Sequence, residues 1–426
     1  MSQKKHKRPW GIFLAIVLAI LFGSWVGPGG EKWGIPFFHI FDVLSKIFLN
    51  ALNLIVVPLV SSSIIGGIAR IGSDEEFGRI GAKTFGFYIG TSLLAIFIGL
   101  FFVNILNPGR ADLVTPEASK LALDSHLTSQ KAAAVTDILQ QIIPSNIFNA
   151  FAQGQMLGVI FFSILFGYAI SKISQELSST LQQFFHAVFQ AMIRVTHIVM
   201  KFLPYAVFCL IAKVFITTGF RSLASVSLFM LTVILGLLVY TCIGLPLLLK
   251  FIAKVKPMRH FQAMSPALIT AFSTSSSSAT LPVTINCVEK RAGVSNRICS
   301  LVVPLGTSVN MSGSALYECV AAMFIAQAYG IHMSIPTQFL VVALSLITSI
   351  GVAGIPSASV IAIIIILKSI GLPVEGIGLF LAVDRLLDMC RTTVNVFSDS
   401  SCAVLVATTE GEKGVLSKEA SEMPEV

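Results

Sequence analysis

An all-α polytopic membrane protein is the fold class this sequence predicts, and three observations predict it. Of its 426 residues, 55% are hydrophobic and only 12% charged, whereas a soluble protein of this size needs far more charge to cover its surface. Several apolar runs reach the ~20 residues needed to cross ~30 Å of hydrocarbon, most clearly 10–26, 85–106, 156–173 and 227–249. The basic residues behind the net charge of +8 lie in short loops between those runs. That placement follows membrane topology and leaves no nucleic-acid partner to be read from it.

The first apolar run follows "KKHKRP". No small-residue cleavage site succeeds it, so it reads as a retained helix and not a signal peptide. Lys4, Lys5, Lys7 and Arg8 then place the N-terminus in the cytoplasm, and the clusters Lys254, Lys256, Arg259 and Lys290, Arg291, Arg297 fall on the same side. The first half reads as plain spans at about 9–28, 37–71, 80–108, 137–173, 180–217 and 222–253. Segment 109–135 is the longest polar loop and is expected outside the cell; it carries no Asn-x-Ser/Thr sequon, which favours a bacterial inner membrane. Arg194, His197 and Lys201 read as the polar face of an interfacial helix. The tail from 411 is polar, rich in Glu, and expected to lack structure.

From 256 the apolar runs are interrupted by Gly, Pro, Ser, Thr, Asn and Asp. "FSTSSSSATLP" (272–282) and "GVAGIPSASV" (351–360) each lie between apolar arms too short to span twice, so each reads as a re-entrant helical hairpin. Each precedes a helix with a polar centre, "GTSVNMSGSALYE" (306–318) and "VDRLLDMCRTTVNVFSDSS" (383–401). A hairpin and a polar helix, repeated once, suggest an inverted repeat; paired interrupted segments point to a transporter's central site. Irregular backbone at membrane depth is tolerated where protein buries it or water reaches it. Short helices meeting tip-first present their N-terminal donors to an anion, so the serines read as an anion cradle.

Asp384, Asp388, Arg391, Asn395 and Asp399 fall at i, i+4, i+7, i+11 and i+15, on one helix face. Each ionisable group at the bilayer centre costs ~2.5–3.5 kcal/mol on insertion scales and marks function by default. An internal Asp388–Arg391 ion pair is compatible with that. Arg391 offers a planar fork for a carboxylate; Asp388 suits an ammonium; Asn395 and Thr392 supply neutral hydrogen bonds. Together they describe an acidic amino acid. Asp399, Asn310 and Asn395 are hard oxygen donors that suit Na⁺. Glu318, in the apolar setting "ALYECVAAMF", is a candidate proton carrier, with a packing role as the other reading. The seven cysteines are scattered and form no CxxC, which indicates neither a disulfide framework nor a zinc site. No cofactor is expected.

With these motifs in view, the chain resembles the dicarboxylate/amino acid:cation symporter family, which includes bacterial glutamate/aspartate transporters and animal excitatory amino-acid transporters. The likeness runs from "TSLLAIFIGLFFVNILNPG" to "VATTEGE" and is strongest in "STSSSSATLPVT", "NMSGSALYE", "GIPSAS" and "DMCRTTVNV". An archaeal member of that family is itself among the standard examples of inverted repeats.

The resemblance implies a non-enzymatic homotrimer of eight transmembrane helices and two hairpins per chain, working as an elevator. Scaffold helices one and two would lie in 1–79 and four and five in 136–221. Helix three, 80–108, joins the transport domain 222–411, which holds helix six, hairpin one at about 256–291, helix seven, hairpin two at about 334–370, and helix eight; 412–426 would be a cytoplasmic tail. Ser276, Ser277 and Ser278 would cradle the α-carboxylate, Asp388 the amino group, and Arg391 the side-chain carboxylate. Thr392, Asn395 and Ser314 would complete the pocket, with the second tip, Ile355 to Ser359, as lid. One sodium would use Gly306, Asn310, Asn395 and Asp399. A second would use backbone at Ser308, Ser349, Ile350 and Val352, and a third Tyr88, Thr91, Ser92, Asn310 and position 312.

Two departures matter. The family's Asn-Met-Asp-Gly-Thr reads Asn310-Met311-Ser312-Gly313-Ser314 here, so the third sodium site loses its carboxylate, and two sodium ions or proton coupling through Glu318 is expected. The arginine that relatives carry near the substrate is absent from Ser275 and Met389, leaving Arg385 as the substitute and potassium counter-transport in doubt. Asp388 with Arg391 favours glutamate or aspartate over the C4-dicarboxylate and neutral amino-acid branches. An anion channel stays open as an alternative, and a serine hydrolase lacks a base and a nucleophile elbow.

Overall fold

The computed structural model describes residues 10–27, 31, 35–71, 75–109, 143–153, 155–218, 221–351 and 359–417. Its elements are helical. In chain order they are α1 (Trp10–Val26), α2 (Phe37–Ile71), α3 (Glu75–Leu106), α4 (Ile147–Gln153), α5 (Met156–Ile170), α6 (Gln175–Met200), α7 (Leu203–Thr218) and α8 (Arg221–Val239). A π-helical turn, Tyr240–Gly244, leads into α9 (Leu245–Phe251). Then come α10 (Pro257–Thr274), α11 (Ser277–Asn286), α12 (Asn296–Val309), α13 (Ser312–Ala328), α14 (Ile335–Gly351), α15 (Ser359–Ser369) and α16 (Leu381–Thr409).

Three stretches are long and apolar enough to cross a membrane among the described residues: 79–106, 225–251 and 296–328. The other apolar helices are shorter, and two expected spans are corrected. The run 137–173 contains α4 and α5, separated at Gln155, whose N–H turns back to the Ala150 carbonyl at 2.9 Å; polar Gln-Gly-Gln interrupts the apolar sequence there. The run 180–217 is α6 and α7. Pro204 at the second position of α7 has no N–H to continue α6. Arg194 of α6 and Lys201, which follows its last residue, are exposed.

The helices pack in two groups. In one, α2 lies against α5, α6 and α7, and α1 against α7. In the other, α16 is wrapped by α10, α12, α13 and α3, with α8 against α3, α13 and α16. Fewer contacts join the groups, chiefly where α2 meets α14 and α15, and where α7 meets α8, α16 and the short 3₁₀ turn Val374–Leu379 that precedes α16. The second group buries nearly all of α13 and the polar stripe of α16.

The tail is a further correction. Composition predicts no structure from 411, yet residues 411–417 form turns, with Val415 and Leu416 buried. Two apolar side chains inside a polar tail anchor it.

Candidate functional site

Two helix breaks build the site. The first lies between α10 and α11, which pack on each other as a hairpin joined only by Ser275 and Ser276. Ser275 takes a left-handed backbone, φ +50°, which reverses the chain. Ser276 caps α11, its hydroxyl accepting from the Ala279 N–H at 3.2 Å. Ser277 is buried and its hydroxyl donates to the Thr307 carbonyl at 3.4 Å, while Ser278 is exposed. The second break falls at Asn310 and Met311, between α12 and α13. The tip of the first hairpin therefore meets the end of α12 through the Ser277–Thr307 bond. The second tip, with Ile355 and Val352, lies outside the described residues; Ser359 begins α15 and is buried.

The acidic and basic stripe of α16 is buried as the periodicity requires: Arg391 is 0% exposed, Asp384 3%, Asp388 7%. Arg391 Nη2 lies 2.9 Å from Asp388 Oδ1 and 3.2 Å from Asp384 Oδ1. Its guanidinium carbon sits 3.8 Å from the Tyr317 ring centroid, and the Tyr317 hydroxyl donates to Asp384 Oδ1 at 2.9 Å. Arg385 Nη1 is 3.4 Å from Asp388 Oδ2. Two cations thus balance two carboxylates. Arg391 Nε and Nη1 have no hydrogen-bond partner among the described residues. Buried donors of that kind are costly unless something satisfies them. Thr392 is buried one residue on.

Asn395 ties the stripe to the second break. Its side-chain oxygen accepts from the Gly313 N–H at 2.8 Å, and its amide donates to the Ser314 hydroxyl at 3.2 Å. One turn further, Asp399 Oδ1 accepts from Asn310 Nδ2 at 2.9 Å. Gly306 makes room for this carboxylate, since a Cβ there would lie 2.6 Å from Asp399 Oδ1. Asp399 Oδ2 is buried without a partner among the described residues. Gly306, Asn310 and Asp399 are therefore gathered in one place, with Asn395 one turn away. Oxygen donors are the ligands that hard cations take.

A second polar cluster adjoins it. The Thr91 and Ser312 hydroxyls donate to Asn310 Oδ1 at 3.2 and 2.9 Å. Ser92 and Ser312 hydroxyls are 3.2 Å apart. Tyr88 is buried nearby, its hydroxyl donating to the Val302 carbonyl at 2.5 Å. The cluster is neutral. Its remaining members were missed in the sequence: the Ser398 hydroxyl is 3.1 Å from Ser312 and 3.0 Å from Tyr240, and Cys402 Sγ is 3.7 Å from Thr91 Oγ1. The available signal was "YTC" inside an apolar run, with Ser398 beside Asp399.

Glu318 is fully buried in α13 and accepts from the Thr348 hydroxyl of α14 at 2.9 Å. Thr348 was also missed. Ser349 of the same helix is buried, its hydroxyl turned to the Leu346 carbonyl at 2.8 Å; Ile350 and Ser308 are half-buried. No group of three or more His, Cys, Asp or Glu side chains able to hold a metal ion is found among the described residues.

Comparison with known proteins places this arrangement. A proton/glutamate-aspartate symporter of Escherichia coli (strain K12) is 33% identical over 411 residues, covering 96% of this chain and 94% of the relative. A proton/sodium-glutamate symport protein of Bacillus caldotenax is 34% identical over 413 residues, 96% of each chain. Excitatory amino acid transporter 3 of Mus musculus is 32% identical over 443 residues, 91% of this chain and 82% of the relative. The sodium:dicarboxylate symporter family matches residues 9–409. That match takes in both helix breaks and the whole charged stripe, so the chain belongs to the sodium:dicarboxylate symporter family, a family of transporters and not of enzymes.

Proposed function

We propose that the protein is a secondary active symporter importing an acidic amino acid, L-glutamate or L-aspartate, driven by sodium, protons or both. One observation carries the substrate class: Arg391 is fully buried, and two of its nitrogens have no partner among the described residues. A ligand carboxylate would satisfy those donors with charge-assisted hydrogen bonds. It would also draw Arg391 from Asp388, freeing that carboxylate for an ammonium group. The names of relatives from bacteria and mouse support the same class.

In this reading Ser276, Ser277 and Ser278 cradle the α-carboxylate at the N-terminus of α11. Thr392, Asn395 and Ser314 complete the pocket, and Ile355 to Ser359 form its lid. Sodium sits among Gly306, Asn310, Asn395 and Asp399, and a second ion under the lid at Ser308, Ser349, Ile350 and Val352. The neutral cluster of Tyr88, Thr91, Ser92 and Ser312 lacks the carboxylate that would favour a third. Glu318 carries a proton; its bond to Thr348 supports this by linking α13 to an arm of the second hairpin. We read the α1, α2 and α4–α7 group as a fixed scaffold and the group around α16 as a domain that moves past it. The sparse contacts between them support that elevator motion. Assembly as a homotrimer in a bacterial inner membrane, with both termini cytoplasmic, completes the proposal.

The test is uptake of labelled L-glutamate and L-aspartate into proteoliposomes under a sodium gradient alone or a proton gradient alone. Uptake under either supports the reading and assigns the coupling ion. Flat traces under both gradients, and under the two combined, would sink the substrate assignment.

A further inference from the structure

Segment 410–417 turns back from the end of α16 and crosses the base of the α10–α11 hairpin. It is fastened at four places. The Glu410 carboxylate takes Arg79 at 2.6 Å, and Lys83 as well, both from α3. The Glu412 carboxylate accepts from the Ser295 N–H at 3.0 Å and from the Ser295 hydroxyl, at the residue that precedes α12. The Leu416 N–H donates to the Ala292 carbonyl at 2.8 Å, where the second hairpin arm ends. Arg259, on the first arm, reaches the Leu416 and Ser417 carbonyls at 3.2 and 2.9 Å. Beneath these bonds Val415 and Leu416 are 8% and 3% exposed.

The backbone of the segment is strained at one point. Leu416 sits at φ +53°, a left-handed conformation that a side chain with a Cβ adopts only at a cost. Such a residue persists where its surroundings over-determine it. Here its N–H, its carbonyl and its side chain are all engaged. A tail that merely lay on the surface would relax.

We propose that residues 410–417 are a brace that fixes the base of the hairpin to α3, α12 and α16 and stays shut through the transport cycle. The hairpin is a lever. Its first arm, α10, has 18 residues, or ~27 Å at ~1.5 Å per residue, so a small rotation at the base becomes a large displacement at Ser275 and Ser277. The brace keeps that tip in register with the Thr307 carbonyl. The rigidity claim stands by itself; its effect on substrate rests on the function proposed above.

The experiment uses the full chain in lipid, with amide hydrogen exchange over residues 257–295 and uptake in proteoliposomes. Two variants open the brace: termination after Thr409, and, should that fail to fold, Arg259→Gln combined with Glu412→Gln. Exchange in 257–295 is expected to rise tenfold or more in the variant, with α1 and α2 unchanged, and the KM for substrate to rise with it. Wild-type exchange in a folded variant overturns the brace. A third protein carries Ser295→Cys and Glu412→Cys joined by a short cross-link. Uptake at the level before cross-linking supports a brace that never opens; loss of uptake on cross-linking overturns it. If wild type transports no acidic amino acid, the proposed function fails, while the exchange measurement still decides the brace.

Discussion

The guanidinium of Arg391 lies against the face of Tyr317, 3.8 Å from ring centroid to guanidinium carbon. The same Tyr317 donates its hydroxyl to Asp384, one of the two carboxylates that pair with Arg391. The ring therefore supports the cation and orients its counter-ion together. A desolvated cation–π contact is worth about 2 kcal/mol, close to a 30-fold change in affinity at ~1.4 kcal/mol per tenfold. Tyr317→Leu is expected to weaken acidic-substrate binding by roughly that factor. Tyr317→Phe, which keeps the ring, should lose less. Titration calorimetry separates the two; equal losses would mean the hydroxyl alone matters.

Arg391→Cys should abolish uptake of glutamate and aspartate, and Arg391→Lys should restore little of it, because a point charge does not reproduce the planar donors. Removing the cation also leaves Asp384 and Asp388 buried without it, a loss of the ~3–5 kcal/mol kind, so binding is measured on protein shown by size-exclusion to be folded. Glutamate uptake at wild-type level would refute the assignment of Arg391.

Glu318→Gln keeps an oxygen for the Thr348 hydroxyl and loses the titrating proton. Substrate binding should persist while proton-driven uptake disappears. The check is the pH profile of uptake without a sodium gradient. A profile unchanged from wild type would remove Glu318 from coupling.

Ser312→Asp returns a carboxylate to the cluster of Thr91, Ser92 and Asn310. It is expected to steepen the dependence of uptake on sodium concentration by up to one ion. A sodium Hill slope identical to wild type would mean that charge at this position does not decide the stoichiometry.

Lys83, and with it Arg79, holds the Glu410 carboxyl below the ordinary glutamate value of 4.5. A carboxylate with a lowered folded-state pKa adds stability that is complete above its unfolded value. That stability is lost as pH falls through the folded one. The brace should therefore be insensitive to pH across the neutral range and loosen only in acid, below about 4.5. Glu410→Gln should flatten that acid limb in a hydrogen-exchange series over segment 410–417. The effect is small, since Lys83 and Arg79 are partly exposed and such pairs are screened.

Much of the charged stripe was legible in the sequence, because its geometry is helical. Residues Asp384 to Asp399 share one face by spacing alone, and a polar stripe on an apolar chain has nowhere to go but inward. The break between α10 and α11 was legible for a related reason: a run of serines separates two short apolar arms. The likeness to the symporter family was carried by four short motifs, and the match over residues 9–409 bears it out.

What the tertiary structure decided was every contact between distant elements. Tyr317 meets Asp384 across 67 positions and Thr348 meets Glu318 across 30; no local periodicity encodes either. Tyr240 and Ser398 join Ser312 only because the π-helical turn after α8 converges with α13 and α16 on one buried spot. The ordered tail was invisible for the same reason. Its composition is that of a solvated segment, and only the hairpin base against which Val415 and Leu416 fold makes it otherwise. Helical period and apolar length act within a few turns of chain and fix which face is buried. Which partner waits on that face is set by packing between helices far apart in sequence.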